Sequence, residues 1–414
     1  MKKKCKNVND PAPIHVLHLI DRLTGNGTGN WLRDIVRLTQ SAKVQHFVIT
    51  FSPDKGNWVY GDSFREKGIY RPFPMPRGLK WLKRKPTVWF LVRYLLVLWQ
   101  GLKAFFWFRP AIIHVHTCNS FTAGLLLRVV LWRPLVHTVP LLFSQMEDHG
   151  VAWLPKLYAR FYNLVDCFFT GASREELRKI GIPDSKIFPI RGVIDLQAIE
   201  AVRKQRSEHH KIIRESLCLP SDCLMALSVG RLHPTKGHLY ALEAIPSLVR
   251  EFPNLHWVVL GEGKQHAELE ERAKDLGIST HVHLLGYQDN PLPYYAAATV
   301  YFRTVILEAE NLSSYQAMAM GLPVVGFDTG CETELIRDVG HGVLVPLKNI
   351  NAFSAAVTKI LTLPDRGREM GRLGWSYSEK NLDIQKAIAD YTAVYIALKK
   401  GVKVQSEQLQ RDVW

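Results

Sequence analysis

Short apolar runs alternating with longer helix-patterned stretches constrain this chain more than any other feature of it. In the first half the runs are 15–20, 46–51, 111–115, 135–139, 167–170 and 187–190; in the second they are 224–229, 257–260, 282–285, 299–302, 324–327 and 343–345. Continuous apolar strands separated by helices belong in parallel sheets covered on both faces. Two such series in 414 residues predict an α/β chain of two doubly wound domains, each large enough for a full core. Between the series, Lys204-Gln205-Arg206-Ser207-Glu208-His209-His210-Lys211 is polar and aperiodic. The boundary is expected there, giving domains at 1–204 and 205–380. A strong helical pattern at 384–398 follows, within a segment 381–400, and 401–414 is expected to be a frayed polar tail.

A formal net charge of +15 asks for an anionic partner: nucleic acid, an anionic membrane surface or a nucleotide diphosphate. No nucleic-acid-binding motif accompanies the charge, so no nucleic acid partner is expected. The six cysteines (5, 118, 167, 218, 223 and 331) are scattered. They are expected to be buried, reduced thiols of a cytoplasmic protein. Met1 to Lys6 is basic but 7–13 is polar, so no secretory signal is expected. Residues 87–108 are apolar and Trp-rich, yet Arg93, Gln100 and Lys103 interrupt them. A spanning helix needs about 20 apolar residues, and each central Arg or Lys costs roughly 2.5 to 3.5 kcal/mol; no span is expected. Lys80, Lys83, Arg84 and Lys85 beside Trp81, Trp89 and Phe90 suit an anionic membrane surface, or form an ordinary amphipathic helix.

Several segments carry chemistry. The run Ser228-Val229-Gly230-Arg231-Leu232-His233-Pro234-Thr235-Lys236-Gly237 ends an apolar strand and sets Arg231 and Lys236 in the loop beyond it. Parallel sheets bind ligands beyond such strand ends, and a guanidinium fork with an ammonium charge suits a diphosphate. Gly25, Gly27 and Gly29 follow the first strand and lead into a helix, which lets backbone approach a phosphate or simply makes a turn. Glu308 precedes Gln316-Ala317-Met318-Ala319-Met320-Gly321-Leu322-Pro323-Val324-Val325, a helix slim enough for close packing. His114 and His116 fall on one strand face; His114 is expected to be an interior hydrogen-bonded histidine. Gly261, Gly263, Gly286 and Tyr287 follow strands, as a nucleobase edge or as turns.

The order and spacing of these elements closely resemble the nucleotide-sugar site of the GT-B glycosyltransferases of family GT4. The resemblance is strongest over 220–350. It implies two Rossmann-like domains facing across a cleft that closes on the donor, and a helix at 381–400 that crosses back to the first domain. It implies a retaining glycosyltransferase that moves a sugar from a nucleotide-diphosphate donor to a glycan or lipid-linked glycan acceptor, in cell-surface polysaccharide biosynthesis. Arg231 and Lys236 would hold the diphosphate and stabilise its growing charge, with Gly230, Gly261, Gly263 and Tyr287 around the donor and Gly25, Gly27 and Gly29 facing it from the first domain. Glu308 would contact sugar hydroxyls, and His116 the sugar or a proton in flight. Gln316 stands where the family has a second Glu at the ribose. Asn311, Leu312 and Ser313 replace a common Gly-Phe-Gly turn in the donor segment, and Glu334 matches a family Glu. No Asp-x-Asp occurs, so no metal and no cofactor beyond the nucleotide sugar is expected. The chain would be cytoplasmic, either free or peripheral on the inner face of the membrane. The departures at Gln316 and after Glu308 also suit a catalytically silent nucleotide-sugar-binding or partner-binding protein on the same scaffold.

Overall fold

A computed structural model describes residues 13–20, 32, 35–36, 44–50, 70–71, 86–116, 118–139, 161–162, 164–170, 177–178, 181–189, 194–306, 312–329, 333–365 and 367–402. The chain divides into two compact units, Met1–Arg191 with Gln385–Trp414, and Gly192–Ile384.

The first unit holds a parallel seven-stranded sheet in the order β3-β2-β1-β4-β5-β6-β7. Its strands are β1 (Ile14–Ile20), β2 (Val44–Thr50), β3 (Tyr70–Arg71), β4 (Ile112–Val115), β5 (Leu135–Val139), β6 (Cys167–Thr170) and β7 (Ile187–Pro189). Strand geometry sends successive side chains to opposite faces, so each apolar run serves two cores. Leu17, Leu19, Ile113 and Val115 face one core with Val97 and Ala104 of α1 (Pro86–Trp107) and Phe121 and Leu127 of α2 (Cys118–Leu131). These helices lie close together at Gly101, where an added Cβ would sit 2.6 Å from Leu127 Cδ1. The other face carries His18, His46 and His114, all buried. It is covered by α12 (Ile384–Lys399): Tyr391 packs 4.2 Å from Phe169, and Tyr395 Oη lies 2.7 Å from His114 Nδ1.

The second unit holds a parallel six-stranded sheet in the order β10-β9-β8-β11-β12-β13. Its strands are β8 (Leu224–Val229), β9 (Leu255–Leu260), β10 (Val282–Leu284), β11 (Val300–Arg303), β12 (Val324–Phe327) and β13 (Gly342–Val345). On one face α5 (His238–Glu251), α6 (His266–Asp275) and α10 (Ile350–Thr362) close a core around Trp257, whose Nε1 donates to Ser228 Oγ at 3.0 Å. On the other face lie α7 (Leu292–Ala297) and α8 (Leu312–Met320), with α11 (Arg368–Asn381) against α8. α9 (Thr333–Val339) leads into β13.

The stretch read as a linker at 204–211 is helical and belongs to the second unit. α3 (Leu196–Lys204) is followed directly by α4 (Arg206–Ser216). Arg206 donates to the carbonyls of Ala296 and Ala298 at 3.0 and 3.2 Å. Arg214 donates to those of Ala297 and Cys223 at 3.1 and 3.0 Å. These bonds tie α4 to the end of α7, so the division falls at residue 191. The chain leaves and re-enters near one place: Ile194 forms an isolated parallel bridge with Asp383. Cys167 and Cys223 are buried free thiols, but Cys218 is exposed in the turn after α4, at φ +53°. Among the described residues no helix is long and apolar enough to cross a membrane.

Candidate active site

The second sheet reverses its strand order between β8 and β11, and ligands of doubly wound sheets bind beyond the strand ends at such a point. Three strand-end loops meet there. After β8 the backbone runs through Arg231 into a 3-10 turn, Pro234–Lys236, and then through Gly237 into α5. His233 Nδ1 accepts from Thr235 N and caps that turn. The loop after β9 supports it, with Leu232 N donating to Glu262 O at 2.9 Å, and is itself held by the segment after β10, with Gly261 N donating to Gly286 O at 2.7 Å. The loop after β11 braces its far end. Thr304 Oγ1 donates to Lys236 O at 3.1 Å and Ile306 N to Thr235 O at 2.8 Å.

Three glycines make this packing possible. Gly237 has φ +66°, and a Cβ there would lie 2.0 Å from Thr304 O. Gly261 has φ +146°, and its Cβ would lie 1.9 Å from Gly230 O. Gly263 has a similar approach to Leu232 O. At Gly261 and Gly263, then, loops pack face to face. Gly230 lies against the aliphatic stem of Lys236, 3.6 Å from its hypothetical Cβ to Lys236 Cδ. Arg231 is exposed and Lys236 half-buried.

His238, at the start of α5, was not singled out by sequence. Its ring is buried beneath the loop, beside the backbone of Gly230 and Arg231. Burial pushes its pKa down to about 4, and the Lys236 ammonium adds to that shift, so the ring is neutral at pH 7. Thr304 was also missed. Its only sequence signal is its place just beyond an apolar strand.

Glu308 and Asn311 lie outside the described residues, as do Gly25, Gly27 and Gly29. Leu312 and Ser313 open α8, where Ser313 O accepts from Tyr295 Oη at 3.1 Å. Gln316 is half-buried on that helix, and Ala317 to Met320 are fully buried. The backbone of Glu334 lies in α9; its side chain is outside the description. Tyr287 is half exposed after β10.

In the first unit the strand order reverses between β1 and β4, and histidines gather on one face there. His18 Nε2 lies 2.8 Å from His46 Nδ1, and His18 Nδ1 lies 2.8 Å from His116 Nε2. His114 bridges Tyr395 Oη and Thr138 Oγ1, each at 2.7 Å. Burial holds His46 and His116 down to about 3, and His18 and His114 well below the usual imidazole value. Neutral imidazoles have one donor and one acceptor each, so the contacts His46–His18–His116 close as N–H···N bonds. His18, His114 and His116 offer ligand atoms within 4.8 Å of one another, the spacing of a metal site. Both nitrogens of His18 and of His114 are already in hydrogen-bond contact, and this favours a closed polar layer. His114 is thus the interior histidine expected. His116 is enclosed as well, with none of its surface exposed in this conformation. His137 faces the opposite core, stacked 4.9 Å from Phe121, and is also held to about 3 by burial.

Comparison with known proteins gives the same outline. The family model described as "Glycosyl transferases group 1" matches residues 210–374, and "Glycosyl transferase 4-like domain" matches 26–191. A lipopolysaccharide core biosynthesis glycosyltransferase, LpsE, of Rhizobium meliloti is 29% identical over 163 residues, 38% of this chain and 47% of that protein. The poly(glycerol-phosphate) alpha-glucosyltransferase of Bacillus subtilis is 24% identical over 228 residues, 54% of this chain and 32% of that protein. These matches span half or less of those relatives' lengths. Among solved structures, Anabaena HepE in complex with UDP-glucose has a TM-score of 0.75 at 17% identity, covering 93% of this chain and 99% of that one. Sucrose-phosphate synthase from Thermosynechococcus elongatus has 0.74 at 18% identity, covering 94% and 100%. With a Rossmann-like sheet in each unit and family matches across both, the chain belongs to the GT4-type GT-B glycosyltransferases.

Proposed function

We propose that this protein transfers a sugar from a nucleotide-diphosphate donor to a glycan or lipid-linked glycan acceptor, with retention at the anomeric carbon. The observation that carries the reading is the braced loop Gly230–Gly237 beyond β8, which sets Arg231 and Lys236 at the sheet's switch point, before the N-terminus of α5. That helix end favours anions. The acceptor oxygen attacks the anomeric carbon on the face from which the diphosphate departs. As the bond to the phosphate oxygen breaks, charge grows on the diphosphate, where Arg231 and Lys236 stabilise it. The leaving phosphate oxygen takes the acceptor proton. Glu308 contacts sugar hydroxyls, and Gln316, an amide where the family has a carboxylate, donates and accepts at the ribose.

The names of relatives support a role in surface glycans, since one acts in lipopolysaccharide core biosynthesis and another on poly(glycerol-phosphate). HepE was solved with UDP-glucose, whereas a Mycolicibacterium smegmatis relative is named GDP-mannose-dependent. A thermal-shift panel of UDP-, GDP-, ADP- and TDP-sugars therefore identifies the donor. Arg231→Ala and Lys236→Ala should each weaken its binding by roughly 1.5 to 3 kcal/mol, the value of a charge-assisted contact. Unchanged donor affinity and turnover in both variants refutes the assignment. Gln316 favours a second reading, binding without turnover. A bound donor that releases no nucleotide with any acceptor would establish it.

A further inference from the structure

The His238 ring is a buried polar group with no evident structural use. It is 3% exposed, and among the described residues neither Nδ1 nor Nε2 has a hydrogen-bond partner. Buried polar side chains nearly always have one, and leaving them bare costs stability. The place of the ring makes that cost informative. His238 is the first residue of α5, directly after the Gly237 turn, so it lies under the loop that carries Arg231 and Lys236. The backbone of Gly230 and of Arg231 lies beside the ring and favours its protonated form, which only carbonyl acceptors do. Two acceptors do not match a neutral imidazole, which has a single N–H; the imidazolium has two.

Burial, the Lys236 ammonium and the positive end of α5 oppose that second proton. Among the described residues Lys236 is the charged group that acts on the ring. Arg231, Glu262 and Lys264 are exposed on the loops above. Glu243, further along α5, is paired with Arg272 of α6 at 2.6 Å. Trp257 of β9, 6.4 Å from the ring, and Thr304, beside Gly237, are neutral. A diphosphate over Arg231 and Lys236 reverses the balance, because it cancels the ammonium charge and adds its own. One negative charge about 6 Å away, at an effective dielectric constant of about 20, raises a group's proton affinity roughly a hundredfold. For a ring held to about 4, protonation then moves to about pH 6.

We infer that His238 is a positioning residue of the donor loop: when a diphosphate sits over Lys236, the ring takes a proton from solvent and donates from both nitrogens to the carbonyls of Gly230 and Arg231, fixing the backbone that carries Arg231. This rests on the donor-binding reading of the loop and adds a proton to the binding step. The test is isothermal titration calorimetry of the full chain with UDP-glucose, or with GDP-mannose, ADP-glucose or TDP-glucose should one of these bind more tightly. These diphosphate diesters do not titrate between pH 6 and 8, so a proton taken up belongs to the protein. Compared in two buffers of different ionisation heat, wild type should take up about half a proton at pH 6 and almost none at pH 8, and its affinity should about double between pH 8 and pH 6. H238Q keeps an N–H but cannot become a cation. It should hold donor affinity at pH 8 within about threefold and lose both the uptake and the pH dependence. H238L, with no donor, should lose affinity at both pH values. A merely structural histidine would change the Tm of these variants and leave the proton count alone. His233 is the loop's other imidazole, and H233N should keep the uptake. Wild type that binds a nucleotide sugar without taking up a proton, H238Q with wild-type uptake, or uptake abolished by H233N would each overturn the assignment while leaving the donor site in place. Binding of none of the four nucleotide sugars would refute the donor reading itself, and this inference with it.

Discussion

Lowering the pH should unfold the first unit through its buried imidazoles. His46, His116 and His137 are each held to about 3 by burial, against 6.5 for an unhindered side chain. The folded state therefore binds no proton at these sites where the unfolded chain does. Their contribution to stability is complete above 6.5 and is lost progressively as pH falls below it. Each such group costs about 1.4 kcal/mol per pH unit in that window, so three together cost about 4 kcal/mol per unit. His18 and His114, lowered in the same direction by burial and by neighbouring histidines, steepen the slope. A domain with roughly 5 to 15 kcal/mol of stability should then unfold between about pH 4 and 6. Urea titrations followed by circular dichroism across that range give the slope directly. Carboxylates also contribute to acid unfolding, so His137→Phe is the control: its ring stacks on Phe121 without a donor to replace, and the slope should fall by about one proton. A wild-type slope below one proton, or a slope unchanged in His137→Phe, would refute the reasoning.

Gly261→Ala should destabilise the second unit by about 2 kcal/mol or more, because its Cβ would collide with Gly230 O at a positive φ. Thermal unfolding checks it, and donor affinity should fall in step. Tyr395→Phe removes the hydrogen bond to His114 and should cost about 1 kcal/mol in chemical denaturation. Glu308→Gln should lower turnover more than it weakens binding of the sugar-free nucleotide, since a contact made in the transition state appears in kcat. Equal loss of nucleotide affinity, measured by calorimetry, would place Glu308 at the ribose instead.

The strands were legible because burial on both faces forces unbroken apolar runs, and twelve of these mark elements of the two sheets. β3 was not, since two residues at a sheet edge leave no pattern. α3 and α4 were hidden for a different reason. They bury only Leu196, Ile199, Ile213 and Arg214, and much of what holds α4 is guanidinium bonding to carbonyls about ninety residues away. The Gly230–Gly237 loop stood out because glycine, Arg and Lys recur at fixed offsets after a strand. Its braces, Thr304 and Glu262, act through backbone and a hydroxyl, which spacing does not reveal. The histidine layer was invisible because His18, His46 and His116 come from separate runs. An isolated His in an apolar run gives no sign of its partners.

Among the described elements, the helix that covers the histidine face is made last. Gln385 onward belongs to the first unit, yet all of Gly192–Ile384 is synthesised before it. On the ribosome, domains tend to fold as they emerge, N-terminal first. Here that order leaves His114 and Phe169 without Tyr395 and Tyr391 while the whole second unit is translated. The nascent first unit must wait with a polar-lined sheet face uncovered. Truncation before residue 385 would make that unfinished state permanent, so such a fragment should be held by chaperones or precipitate, although every strand of both sheets is present in it.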